Sequence, residues 1–142
     1  MVGAAYALEL ARAERAQENA RLQALRDHLI EGMLALPEVR LTGHPTERLP
    51  QHASFTLAGV EGESLLLNLD LLGIAASSGS ACTTGDIEPS HVLSAMGVSA
   101  SAARGALRLT LGHSVTADDI ATTLQRMGEI LPRLRALSTQ PA

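Results

Sequence analysis

The sequence predicts an α+β fold: one small mixed or antiparallel sheet of about three to four strands, helices over one face, and a long helix in front. Three observations predict it. Apolar residues recur at three- and four-residue steps in an early and a late stretch, residues 22–36 and 120–134. Two short segments, Ala53–Leu57 and Leu107–Leu111, alternate with the period of a strand. No linker long enough to separate two domains interrupts the 142 residues, and no internal repeat is present.

The elements follow in order. Residues 3–36 are rich in Ala, Leu, Glu and Arg and hold no proline. Leu22, Leu25, Leu29, Met33 and Leu36 form one helical stripe, and Pro37 ends it. Such a helix is ~50 Å long, more than a small domain needs, so its N-terminal part is expected to lean on something outside the unit. Val39–Leu41 reads as a short strand, Gly43-His44-Pro45 as a turn and Ala53–Leu57 as a half-buried strand. Glu61–Leu72 is a leucine-rich helix stopped at Gly73. Ile74-Ala75-Ala76 reads as a short buried strand. The small residues of 77–85 suit neither helix nor strand and predict an exposed, mobile loop. Pro89 opens a helix that runs to Met96 and stops at Gly97. Residues 98–104 read as a loop and Leu107–Leu111 as a strand. Thr116, with Asp118 and Asp119 behind it, caps a last helix that Pro132 is expected to kink.

Composition excludes several classes. The hydrophobic share of 46% against 18% charged residues suits a packed core and rules out a disordered chain. No apolar run approaches the ~20 residues of a membrane span. The start, Met1-Val2-Gly3-Ala4-Ala5, lacks the basic region of a secretory signal. A net charge of −4, with Tyr6 and Phe55 the only aromatics, argues against a nucleic-acid partner. All 11 basic residues are arginine, so no side-chain amine can form a Schiff base. The single cysteine, Cys82, excludes an internal disulfide and a four-thiolate metal site, and fits a cytoplasmic chain. No histidine spacing resembles a metal pair, so no metal is expected.

Two residues stand out as candidates. A free cysteine is most often a buried small hydrophobe, but Cys82 has Ser, Gly, Ala and Thr as neighbours. A thiol on such a loop suits a nucleophile or sulfur carrier if its pKa falls from ~8.5. The loop 77–85 has no basic residue, so activation must come from His91, His113, Arg108 or a cofactor. Arg108 faces away from Leu107, Leu109 and Leu111 on its strand. It reads either as a solvated arginine or as a bidentate carboxylate ligand. His28 and His44 read as solvated, while His52, His91 and His113 are placed where they can meet near the loop.

Four stretches then match one family. Val60-Glu61-Gly62-Glu63-Ser64-Leu65-Leu66, Ser77-Ser78-Gly79-Ser80-Ala81-Cys82-Thr83, Glu88-Pro89-Ser90-His91-Val92-Leu93 and Leu107-Arg108-Leu109-Thr110-Leu111-Gly112 occur in that order. They resemble the helix start, active-cysteine loop and strand of cysteine desulfurases of the NifS/IscS type, class-V aminotransferases of fold type I. The resemblance spans roughly residues 2–138.

It implies an enzyme that removes sulfur from L-cysteine, releases L-alanine and holds the sulfur as a persulfide, with pyridoxal 5′-phosphate as cofactor. It implies that Cys82 carries the persulfide and that Arg108 binds the substrate carboxylate. It divides the chain into a connecting helix over 1–36, a C-terminal small domain over 37–138 carrying the loop 77–85, and a tail over 139–142. The cofactor lysine belongs to a large N-terminal domain, so this chain alone is expected to hold no pyridoxal phosphate and to be inactive. The implied partners are that domain or a separate chain bearing it, a second copy in a homodimer, and an iron–sulfur scaffold or other sulfur acceptor. Three departures accompany the match. His113 stands where many members have arginine, Thr84-Gly85-Asp86 differs from the commoner loop, and the tail after Leu137 is short. Two other readings of the same residues are a sulfur carrier free of pyridoxal phosphate and an interaction remnant with an idle Cys82.

Overall fold

The computed structural model describes residues 2–78 and 90–138, which form five helices and three strands. Helix α1 (Val2–Leu34) leads into β1 (Val39–Leu41), and β2 (His52–Leu57) precedes α2 (Gly62–Leu71). Two short helices, α3 (His91–Ala95) and α4 (Ala100–Arg104), come before β3 (Ala106–Thr110), and α5 (Ala117–Ser138) closes the chain. The sheet is antiparallel throughout, in the order β1-β2-β3. The expected α+β class and the long first helix are therefore present.

Register assigns the two faces. Val39 pairs with Leu57, Leu41 and Leu107 flank Phe55, and Leu109 pairs with Ala53. These side chains share one face and join a core with Leu22, Leu29, Ile30 and Met33 of α1, Leu65 and Leu69 of α2, and Ile120, Met127, Ile130, Leu131 and Leu134 of α5. Phe55 and Met33 are wholly buried there. The predicted stripes of α1 and α5 are the ones that pack, because helical spacing stacks them on one side. Residues 2–17 of α1 are exposed throughout, with Val2, Tyr6 and Leu8 the most exposed of its large apolar side chains.

Local chemistry sets the boundaries. Thr116 and Asp119 cap α5 reciprocally: the Asp119 carboxylate accepts from the Thr116 amide at 2.8 Å and hydroxyl at 2.7 Å, and the Asp119 amide donates to Thr116 Oγ1 at 3.2 Å. α5 then continues past Pro132 to Ser138. At the end of α2, Gly73 takes φ +74°. The Gly73 and Ile74 amides donate to Asp70 and Leu69 carbonyls, both at 2.9 Å.

Two expectations need correction. Ile74–Ala76 is not a strand: the Ile74 donor closes α2, and the ladder is reduced to one antiparallel bridge between Ser77 and Arg108. Residues 98–104 are not a plain loop. Ser99 accepts from the Ala102 amide at 3.3 Å and so caps α4, whose alanines suit a helix.

Gly105 marks a close approach. A Cβ there would run into the Leu57 carbonyl oxygen and lie 2.9 Å from that of Val60. The Gly105 carbonyl also accepts from the Leu57 amide at 2.9 Å, so the two backbones cannot part without losing that bond. Gly105→Ala is expected to lower stability by ~1–3 kcal/mol or more, seen as a lower denaturant midpoint. An unchanged midpoint would show that the segment yields freely.

Candidate functional site

The face of the sheet opposite the core is polar. Ser54 pairs with Arg108, Thr56 with Ala106 and His52 with Thr110. Their side chains point away from the leucines because the strand period is two. Leu93, Ala103 and Ala106 form a small second cluster that seats α3 and α4 on this side. A cleft of about 220 Å³ lies between, lined by His52, Ser54, Ser78, Ser90, Val92, Leu93, Ala106, Leu107 and Arg108.

Arg108 is placed as its strand predicts, half-buried and turned from the core. Four other arginines brace the fold. Arg21 grips the Glu18 carboxylate and donates to the Val115 and His113 carbonyls, tying α1 to the turn before α5. Arg26, 2% exposed, binds Asp27 and the Leu49 carbonyl. Arg48 holds the Thr42 and His44 carbonyls, and Arg135 those of Ala58 and Pro37. Arg108 instead donates from Nη2 to Ser77 Oγ at 3.3 Å, and among the described residues no carboxylate pairs with it. Its backbone is fixed on both sides, by β2 and by the bridge to Ser77 with N···O distances of 3.1 and 2.6 Å.

The histidines separate. His52 lines the cleft with Arg108. Burial first, then the positive charges of Arg108 and Arg48, push its pKa below the ordinary value. His91 is exposed at the start of α3, and His113 is exposed on the α1 side, where its carbonyl accepts from Arg21. Of these three, His52 is the one that lines the cleft. Sequence reasoning undervalued His52; the signal was its place two residues before Ser54 on the polar side of a strand. Cys82 and the rest of 79–89 lie outside the described residues, as does the predicted tail 139–142. Ser78 and Ser90, the described residues on either side of that segment, both line the cleft.

A larger cavity, about 330 Å³, lies between the end of α2 and the start of α5, lined by Leu29, Ile74, Leu111, Val115 and Ile120 among others. Its lining is mixed, with Thr110, Thr122 and Thr123 beside the apolar residues, and its one acid, Asp119, is engaged by Thr116. Among the described residues no three His, Cys, Asp or Glu side chains cluster to hold a metal ion. No described helix is long and apolar enough to cross a membrane.

The fold is a three-stranded antiparallel sheet backed by long helices, with Arg108 raised on its polar face. The chain belongs to the class-V aminotransferase family, whose model matches residues 1–122. It is 48% identical over 138 residues to the cysteine desulfurase IscS of Methanosarcina thermophila, covering 97% of this chain and 34% of that protein. It is 46% identical over 136 residues to an IscS-like cysteine desulfurase of Mycobacterium tuberculosis, covering 94% of this chain and 35% of that protein. The chain thus spans about a third of the length of these curated relatives. Among solved structures it matches a NifS-like protein with TM-score 0.81 at 30% identity, over 94% of this chain and 33% of that one. A NifS-like protein from Rickettsia africae matches with TM-score 0.76 at 26% identity, over 87% and 31%.

Proposed function

We propose that this chain is the persulfide-bearing small domain of a cysteine desulfurase. The observation that supports it best is the polar cleft, where Arg108 stands without a carboxylate partner among the described residues, between the two ends of the cysteine-bearing segment. Arg108 binds the carboxylate of L-cysteine through its planar fork. Cys82 Sγ bonds to the substrate sulfur as the bond from that sulfur to carbon breaks. Thiol and L-cysteine become persulfide and L-alanine, with no atom or electron left over.

The residues of this chain do not make a pyridoxal phosphate site: the cofactor is held through a lysine amine, and the sequence has no lysine. A lysine-bearing domain, in the same or a separate chain, holds it in the complete enzyme. That enzyme is a cytoplasmic homodimer and hands its sulfur to an iron–sulfur scaffold or a thiolation protein.

The test supplies L-cysteine to a complete enzyme containing this chain and follows alanine release and the mass of the Cys82 peptide. Alanine release with one added sulfur on Cys82 is expected; alanine release with no sulfur on Cys82 overturns the assignment. The 142-residue chain alone, mixed with pyridoxal phosphate and borohydride, is expected to trap none of it on a side chain and to release no alanine. Sulfur taken up from a protein persulfide by the chain alone, with no alanine made by any complete form, would favour a simple sulfur carrier.

A further inference from the structure

We propose that His52 and Arg108 act as one anion clamp, in which His52 takes up a proton when a carboxylate binds, so that the cleft binds its substrate more tightly as pH falls. This rests on the carboxylate role of Arg108 and adds a second binding group.

The register carries the idea. Ser54 faces Arg108 and His52 faces Thr110, so His52 is the diagonal neighbour of Arg108 on the polar face. Such neighbours stand ~7–8 Å apart, close enough for two long side chains to converge on one small anion. Both line the same cleft, together with the hydroxyls of Ser54, Ser78 and Ser90. No acid lines that cleft among the described residues. On its outer side His52 borders a second hollow that holds Arg48, His44 and Glu47. From α3 it meets Val92 and Leu93, which carry no charge.

The surroundings of the ring therefore favour its neutral form while the cleft is empty. Burial disfavours an added proton most, and Arg108 and Arg48 repel it further. A bound carboxylate reverses the sign of the nearest charge. The imidazolium can then donate to one carboxylate oxygen while Arg108 holds the other. Proton uptake and anion binding become linked, and each strengthens the other by the same factor. The window runs from the folded pKa of the empty cleft up to that of the occupied one. Within it, affinity rises by up to ~10-fold per pH unit of acidification, and above it the dependence vanishes.

The experiment uses the 142-residue chain and 3-mercaptopropionate, a thiol carboxylate without an amine, with its neutral amide as control. The ring protons of His52 and the Nε–H of Arg108 are followed by NMR between pH 5 and 8, with the other four histidines as internal references. The expected result is that the carboxylate shifts Arg108 and raises the His52 midpoint, the amide does neither, and His52→Gln still binds but loses the pH dependence. A shifted Arg108 with an unmoved His52 midpoint overturns the clamp and leaves the Arg108 reading intact. Failure of the carboxylate to move Arg108 overturns both.

Discussion

Cys82→Ser in a complete desulfurase containing this chain is expected to cut sulfide release and protein-bound sulfur by at least ~100-fold. The reason is chemical. Thiolate sulfur is soft, polarizable and ionisable near neutral pH, and the sulfur–sulfur bond it forms is stable enough to carry. A serine hydroxyl is scarcely ionised at pH 7 and makes no stable bond to sulfane sulfur. Within these 142 residues no second cysteine can take over. Because Arg108 is untouched, carboxylate binding should stay within ~2-fold of the parent, a factor that corresponds to well under 1 kcal/mol. Single-turnover assays of alanine and reductant-released sulfide, with a thermal melt of each variant, make the comparison. Normal sulfide release from folded Cys82→Ser would remove Cys82 from the sulfur path.

The fold was legible where periodicity and punctuation agreed. Leu22, Leu29 and Met33 on one helix, and Ile120, Met127, Leu131 and Leu134 on another, repeat at spacings that leave one side to bury, and those residues are in the core. Strict alternation in Leu107–Leu111 assigned both faces of β3 before its neighbours were known. What stayed hidden depends on partners distant in sequence. Ile74–Ala76 has strand composition, yet the Ile74 amide is taken by the end of α2, a local bond that outcompetes a ladder. No sequence pattern marks Arg26, yet it is buried, because the segment after β1 folds over it and offers the Leu49 carbonyl.

The candidate site divides in the same way. That Arg108 leaves the core follows from a period of two. That no carboxylate of the described residues meets it requires knowing where Glu18, Asp27, Glu38 and Glu129 pair, and they pair with Arg21, Arg26, Arg135 and Arg126. The nearness of His52 to Arg108 emerges only from register, since 56 positions separate them while the β2–β3 pairing makes them diagonal neighbours. A sequence pattern reports the face of a residue; the pairing that brings two faces into line is a tertiary property.

Arg108→Ala should weaken use of L-cysteine far more than it weakens the fold. The interactions that fix this position are backbone bonds to β2 and to Ser77, and they survive truncation of the side chain. The side chain's own bond to the Ser77 hydroxyl, at 3.3 Å, is long and half-exposed, so its loss costs little. No core cavity opens, because Leu107 and Leu109 occupy the opposite face. A carboxylate deprived of its partner loses ~1.5–3 kcal/mol for each charged hydrogen bond, a factor of ~10–150. Arg108→Lys should recover little of this, since an ammonium is a point charge without the planar fork. If Arg108 only binds the ground-state carboxylate, KM should rise with kcat nearly constant; if it also aligns the sulfur with Cys82, kcat should fall as well. Steady-state kinetics of both variants beside their melting curves separate these outcomes. A collapsed melt with normal activity per folded molecule would make Arg108 a structural brace like Arg21 and Arg135, and the carboxylate assignment would then be wrong.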